Sequence, residues 1–292
     1  MQILRARPRA PRTVLAALAV AAVLAGCAED ETLGTEPAGR EITVEPAWAQ
    51  EFEAHGVVGT FALHRLGDDH VTVHAPDRAA TPMIPASTFK ILNSAIALET
   101  GVIAGVDTVI RWDGVDRAFA AWNRDQTLRS AIEVSAVWAY QELARGIGPD
   151  RMAEHVAAVG YGNADIGGPI DEFWLQGDLR ISAVEQTSFL ADLMTDRLPF
   201  AVETQAAVRE ILIRDRGTGW TFGHKTGTAL AAEPTLGWLV GFTEYADDTW
   251  VFALNIDVGD AADENHLDPV GRQRLAATLL VQAGALPEEA LD

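Results

Sequence analysis

Pro85-Ala86-Ser87-Thr88-Phe89-Lys90-Ile91-Leu92-Asn93 opens an apolar run that continues through Ala95, Ile96 and Leu98 to Gly101. Apolar residues fall on nearly every side of the helix this pattern predicts, so it reads as buried all round rather than lying on the surface. Pro85 stands just before its start and Gly101 just past its end, the usual punctuation. Ser87 and Lys90 are almost one turn apart, which puts hydroxyl and amine on one face. The helix N-terminus adds a partial positive charge beside the serine. A hydroxyl becomes a nucleophile when a base takes its proton, and a lysine can be that base where burial lowers its pKa. The same spacing also fits a core helix with a capping Ser and a snorkelling Lys.

Composition weighs between the two. The chain has 22 basic residues, and Lys90 and Lys225 are its only lysines; the other twenty are arginines. Arginine keeps its proton in proteins and cannot act as a base or an amine nucleophile. A chain that uses Arg almost everywhere keeps Lys where Arg cannot serve. The second lysine stands in Lys225-Thr226-Gly227.

At 292 residues and 48% hydrophobic, the chain can bury a sizeable core. Residues 1–27 read as a lipoprotein signal peptide. Arg5, Arg7, Arg9 and Arg12 form a charged leader, and Val14 to Leu24 an apolar stretch too short to span a bilayer comfortably. Leu24-Ala25-Gly26-Cys27 resembles a bacterial lipobox, which implies cleavage before Cys27 and lipidation of its thiol. Cys27 is the only cysteine, so no intrachain disulfide can form. The expectation is export, with an N-terminal lipid anchor as the one membrane contact, to the bacterial periplasm or cell surface. Without the leader, 18 basic residues face 42 acidic ones, a net charge of −24. That charge argues against nucleic acid and anionic membrane surfaces as partners, and an anionic substrate must be drawn in by local Lys and Arg.

The acidic, turn-rich stretch from Ala28 is read as a flexible linker over 28–43, leaving 44–292 as the folded domain. Gly59 to Leu66 and Val71 to His74 are strand-like around a Gly67-Asp68-Asp69 turn. The seven histidines are scattered; His70 and His74 share a strand face and read as exposed. No cluster has metal-ligand spacing, so no metal is expected and a zinc-dependent hydrolase is disfavoured. From about 107 to 216 the periodicity is helical, with helices at Trp138–Arg145, Arg151–Val159, Ile181–Met194 and Thr204–Arg214. Strands return at Gly219–Gly227, Gly237–Thr243 and Thr249–Ile256, and Arg272 to Ala283 closes as a helix. Strands at both ends around a helical middle imply an α+β fold: one antiparallel sheet flanked by helices, with an inserted all-helical lobe. Oligomeric state is not readable.

Beyond the two lysine motifs, the chain carries Ser135-Ala136-Val137, Tyr161-Gly162-Asn163 and Phe173-Trp174-Leu175, with Ala121-Trp-Asn-Arg-Asp and Gly177-Asp-Leu-Arg-Ile-Ser-Ala-Val-Glu-Gln between them. With these in order, residues 44–290 resemble the class D serine β-lactamases, or oxacillinases, among the penicillin-recognising serine enzymes. That resemblance implies the β-lactamase/transpeptidase-like fold, a β-lactam substrate, Ser87 as nucleophile and no dissociable cofactor. It also implies that Lys90 reacts with CO2 to give a carbamate (N6-carboxylysine) that acts as general base. The chemistry needs a neutral amine, hence an apolar pocket. Val137 and Leu175 would wall that pocket, and the Trp174 indole N–H would donate to the carbamate, although plain core packing also accounts for Trp174. Ser135 would relay a proton to the leaving nitrogen; its bland role is a helix N-cap. The resemblance puts the oxyanion hole at the backbone N–H groups of Ser87 and Thr228. Lys225, Thr226 and Gly227 would bind the substrate, its carboxylate held with Arg272, with Arg274 open as the alternative. Tyr161-Gly162-Asn163 reads better as a structural turn.

Two other readings share these motifs. A penicillin-binding D,D-peptidase has Ser-x-x-Lys and Lys-Thr-Gly without the carbamate pocket. A β-lactam sensor domain acylates and stops, and tends to carry a polar residue at the place of Val137.

Overall fold

The computed structural model describes residues 39–258 and 268–291. The signal peptide, Cys27 and most of the linker lie outside the described residues. The chain runs through β1 (Glu41–Val44), α1 (Ala49–Ala54), β2 (Gly59–Arg65), β3 (His70–His74) and α2 (Pro76–Ala79). A 3-10 turn over Ala86–Phe89 then leads into α3 (Lys90–Glu99). The helical segment holds α4 (Leu128–Glu133), α5 (Val137–Ile147), α6 (Pro149–Val159), α7 (Ala183–Met194) and α8 (Val202–Leu212). Four strands and a helix complete it: β4 (Ile213–Gly217), β5 (Trp220–Ala229), β6 (Leu236–Tyr245), β7 (Asp248–Asp257) and α9 (Pro269–Gln282).

The strands form one sheet in the order β1-β3-β2-β7-β6-β5-β4. Its centre comes from the two chain ends, as the strand–helix–strand reading requires: β2 from the N-terminal part lies against β7 from the C-terminal part, in register from Gly59 opposite Ile256 to Arg65 opposite Trp250. One pairing departs from the expected antiparallel sheet, because β1 runs parallel to β3. This strand also shortens the expected linker: Glu41–Val44 is β-strand, and Glu41 to Thr43 lie inside the stretch assigned to 28–43. At the other edge, β4 takes up Ile213 and Arg214, so the helix expected over Thr204–Arg214 ends at Leu212 and the helical lobe stops short of 216.

Alternation along the strands feeds two cores. Trp238, Val240 and Phe242 of β6 turn toward the helical segment, where they join Phe89, Ile91, Leu92, Tyr140 and Trp174. Phe222, Leu239 and Leu254 turn the other way, onto Trp48, Phe52 and the Leu275, Leu279 and Leu280 stripe of α9. A residue on β5 therefore shows one face or the other according to its parity. α7 starts at a capping box in which Ser182 and Glu185 satisfy each other's backbone N–H. His74 is half-buried, stacked on Phe52 at 4.3 Å, rather than exposed as expected.

Candidate active site

The Ser87 region starts as a tight 3-10 turn and becomes α-helical only at Lys90. Ala86 just before it has φ 49, a left-handed conformation that costs energy for a residue with a Cβ. Trp238 Nε1 donates to Ile84 O, and Thr88 Oγ1 donates to Pro85 O, so sheet and turn pin the segment from both sides. Gln186 of α7 then donates to Thr88 Oγ1 and to the Tyr161 hydroxyl.

Lys90 is 0% exposed. Its Nζ donates to Ser87 Oγ at 3.0 Å, Ser135 Oγ at 2.9 Å and Ser135 O at 2.8 Å, and it stands 5.4 Å from the centre of the Tyr140 ring. None of these partners is an acid. Burial alone lowers the amine to about 7, so near neutral pH a large share of it is the free base. One nitrogen thus joins two hydroxyls in an unbroken chain of hydrogen bonds.

Ser135 is not the helix N-cap that its sequence position suggested. It lies in the turn between α4 and α5 with φ 56, and Ala136 takes the cap position. The left-handed turn spends the side chain on Lys90 instead. Trp122 Nε1 donates to Val134 O, and Trp138 Nε1 to Trp122 O, which ties this turn to the Ala121-Trp-Asn-Arg-Asp loop.

Trp174 is fully buried, stacked on Phe89 with ring centres 5.5 Å apart and edge-on to Phe173. Its Nε1 is buried without a hydrogen-bond partner. An orphaned indole N–H costs about 1–3 kcal/mol, and it fits a donor awaiting an acceptor. Together with a buried amine that has no acidic partner, it fits a carbamate on Lys90. Val137 and Leu175 are half-buried; Trp174 is the fully enclosed member of the three.

β5 supplies the other wall. Lys225 and Gly227, two residues apart, share the face toward the helical segment. A Cβ on Gly227 would stand 3.1 Å from Thr88 Cγ2, 3.2 Å from Pro85 O and 3.3 Å from Thr88 N. Glycine is what lets the strand close onto the turn that carries Ser87, and Thr228 follows immediately. Lys225 is buried, and its Nζ donates to Thr226 O at 2.8 Å and to Thr226 Oγ1 at 3.3 Å.

Arg272, not Arg274, reaches this strand. Arg274 is exposed. Arg272 is buried and crosses β6 where Gly237 has no side chain; a Cβ there would meet its Cδ at 2.9 Å. Its guanidinium donates to Gly227 O, Trp238 O and Thr228 Oγ1. Every one of these bonds goes to the protein, so Arg272 holds the Lys-Thr-Gly strand and lends its charge. Tyr161-Gly162-Asn163 is a structural turn. Gly162 has φ 56 and is pressed against Arg180 O, while the Asn163 side chain bonds Arg180 N and Asp178 O.

Sequence reading missed Tyr140 and the role of Gln186. Tyr140 lies one turn after Val137 on α5, a spacing that could have singled it out. Gln186 entered only as the last residue of the Gly177-to-Gln186 phrase, without a role, because its partners are 98 and 25 residues away.

The model of the penicillin-binding protein transpeptidase domain matches residues 67–276. Among curated relatives, β-lactamase OXA-10 of Pseudomonas aeruginosa is 41% identical over 74% of this chain and 83% of its own length. The probable β-lactamase YbxI of Bacillus subtilis is 44% identical over 68% and 74%, and OXA-48 of Klebsiella pneumoniae 37% over 87% and 94%. Among solved structures, the class D β-lactamase YbXI from Nostoc superposes with TM-score 0.78 at 38% identity, covering 82% of this chain and 99% of that one. FUS-1 (OXA-85) of Fusobacterium nucleatum gives 0.78 at 36%, over 82% and 98%. A shared domain, strong identity over most of the length and a common fold agree with the motifs around Ser87: this chain belongs to the class D β-lactamases.

Proposed function

We propose that this chain hydrolyses β-lactams through an acyl-enzyme on Ser87. One observation carries the reading: the buried Lys90 amine, lowered to about 7, hydrogen-bonded to Ser87 Oγ at 3.0 Å with no acid beside it. Free amine accepts the Ser87 proton as the oxygen attacks the lactam carbonyl. The second hydroxyl on the same nitrogen, Ser135 Oγ, offers the departing lactam nitrogen a proton, so a single hydrogen-bonded chain serves both ends of the acylation. The backbone N–H groups of Ser87 and Thr228 take the carbonyl oxygen, a contribution of about a hundred- to a thousand-fold each. Lys225, Thr226 and the charge of Arg272 draw in the substrate carboxylate, which offsets the repulsion of a net-acidic chain.

When Lys90 carries CO2 as a carbamate, that group supplies an anionic general base for acylation and for release of the acyl-enzyme. Lys90 would bear it, Trp174 Nε1–H would donate to it, and Val137 and Leu175 would shield it from water. The leader through Cys27 supports an exported lipoprotein at the periplasmic or outer cell surface; Cys27→Ser would then move the protein from the membrane fraction to the soluble one.

Turnover of a chromogenic cephalosporin, with and without added bicarbonate, tests this reading. Repeated turnover stimulated by bicarbonate is the expected result. A single stoichiometric burst would instead assign the chain to peptidase or sensor chemistry.

A further inference from the structure

Among the described residues no Asp or Glu is buried, whereas Lys90, Lys225, Arg272, His64 and His224 are. The two lysines share one region. Lys225 lies on the β5 face that closes onto Pro85 and Thr88, immediately before Lys90. Its own hydrogen bonds go no further than Thr226. The charges bearing on it are Lys90 from α3, Arg214 from β4 and Arg272 from α9, with His224 beside it on β5. None is acidic. Burial first, then repulsion by Lys90, Arg214 and Arg272, holds its amine well below the usual lysine range. His224, held neutral down to about 3 by burial, adds no charge.

Such an interior needs an anion, and an anion formed there needs a counter-ion. The geometry points to Lys225 as the acceptor of the proton that Lys90 sheds on capturing carbon dioxide. This rests on the carboxylated-lysine reading above. The Lys90 Nζ lone pair forms a bond to the CO2 carbon, one C=O electron pair moves onto oxygen, and Nζ loses a proton. The Lys225 lone pair takes that proton. Two neutral amines and neutral CO2 become a carbamate and an ammonium ion, with no net charge added to the interior and no proton released to water. Lys225 thereby becomes a cation, ready for a substrate carboxylate, only in the loaded site.

The test is carbamate occupancy by 13C NMR with labelled bicarbonate, at fixed dissolved CO2, from about pH 7.5 to about pH 9: above the Lys90 amine at about 7, and with Lys225 held below the usual lysine range by burial and repulsion. A loading step that keeps its proton inside the protein has the same equilibrium constant across this window, whereas one that sheds a proton gains about tenfold per pH unit. Wild type is expected to stay flat. Lys225→Met and Lys225→Arg, neither able to take the proton, are expected to gain the tenfold slope, and Lys225→Met to lose about tenfold or more of its occupancy near pH 7.5. The Arg variant retains a fixed cation, and thermal unfolding checks the fold of both. A tenfold slope in the wild type overturns the proton transfer while leaving the carbamate in place. Flat variants also overturn it. No carbamate signal in the wild type would take down both readings.

Discussion

Replacing Trp174 by Phe separates a hydrogen-bonding role from a packing role in one substitution. The ring is fully buried against Phe89 and Phe173, and its Nε1 has no partner. Without CO2, Trp174→Phe removes an unsatisfied donor, worth about 1–3 kcal/mol in favour of the variant. It also removes roughly two buried carbons' worth of contact, about 1–2 kcal/mol against it. The two nearly cancel, so the unfolding free energy in CO2-free buffer should move by no more than about 1 kcal/mol. The loaded state behaves differently. There the indole donates to a charged oxygen, a bond worth about 1.5–3 kcal/mol, so the bicarbonate needed for half-maximal turnover should rise by about ten- to a hundred-fold. The measurements are denaturant unfolding without CO2 and a bicarbonate titration of turnover. An unchanged bicarbonate requirement with a large loss of stability would return Trp174 to plain core packing and refute the reasoning.

Gly227→Ala puts a Cβ at 3.1–3.3 Å from Thr88 and Pro85, two of the three contacts being backbone atoms that cannot swing aside. The strand must back away from Ser87, and kcat should fall by about ten- to a hundred-fold with KM changed less, as steady-state kinetics would read. The pH profile follows from the Lys90 amine at about 7. In CO2-depleted buffer, acylation should decline as pH falls through that value, because the amine gains the proton that disqualifies it as a base. An acid limb nearer 4 in stopped-flow acylation would point to a carboxylate base. Gly162→Ala forces a Cβ onto Arg180 O at a positive φ; it should cost about 1–3 kcal/mol of stability in denaturant unfolding.

Much of this site was legible because its signals are local. Ser87 and Lys90 are one turn apart, and Lys225 to Gly227 are contiguous, so spacing alone could place them. The scarcity of lysine then marked both amines as special. What stayed hidden depends on distance or on backbone state. β1 is four residues long, follows an acidic stretch, and is held by a parallel pairing to β3 that no periodicity announces. Arg214 continues a helical pattern in sequence but lies in β4, at the bulge between Ile213, opposite Gly223, and Asp215, opposite Phe222. Ser135 sits before a helix and looks like its cap; a positive φ turns it to Lys90 instead. Arg272 and Arg274 lie on different faces of α9, and which face meets Gly237 of β6 is fixed only when α9 docks on the sheet.

The most direct test of the account is the lifetime of the acyl group on Ser87. Intact-mass spectra over time, after mixing with one equivalent of a penicillin, should show the wild-type adduct clearing within each turnover. Lys90→Ala, once acylated, should keep its adduct on the Ser87 peptide about a hundred-fold longer or more. An adduct that clears from Lys90→Ala at the wild-type rate, or one that maps to another residue, would contradict the account.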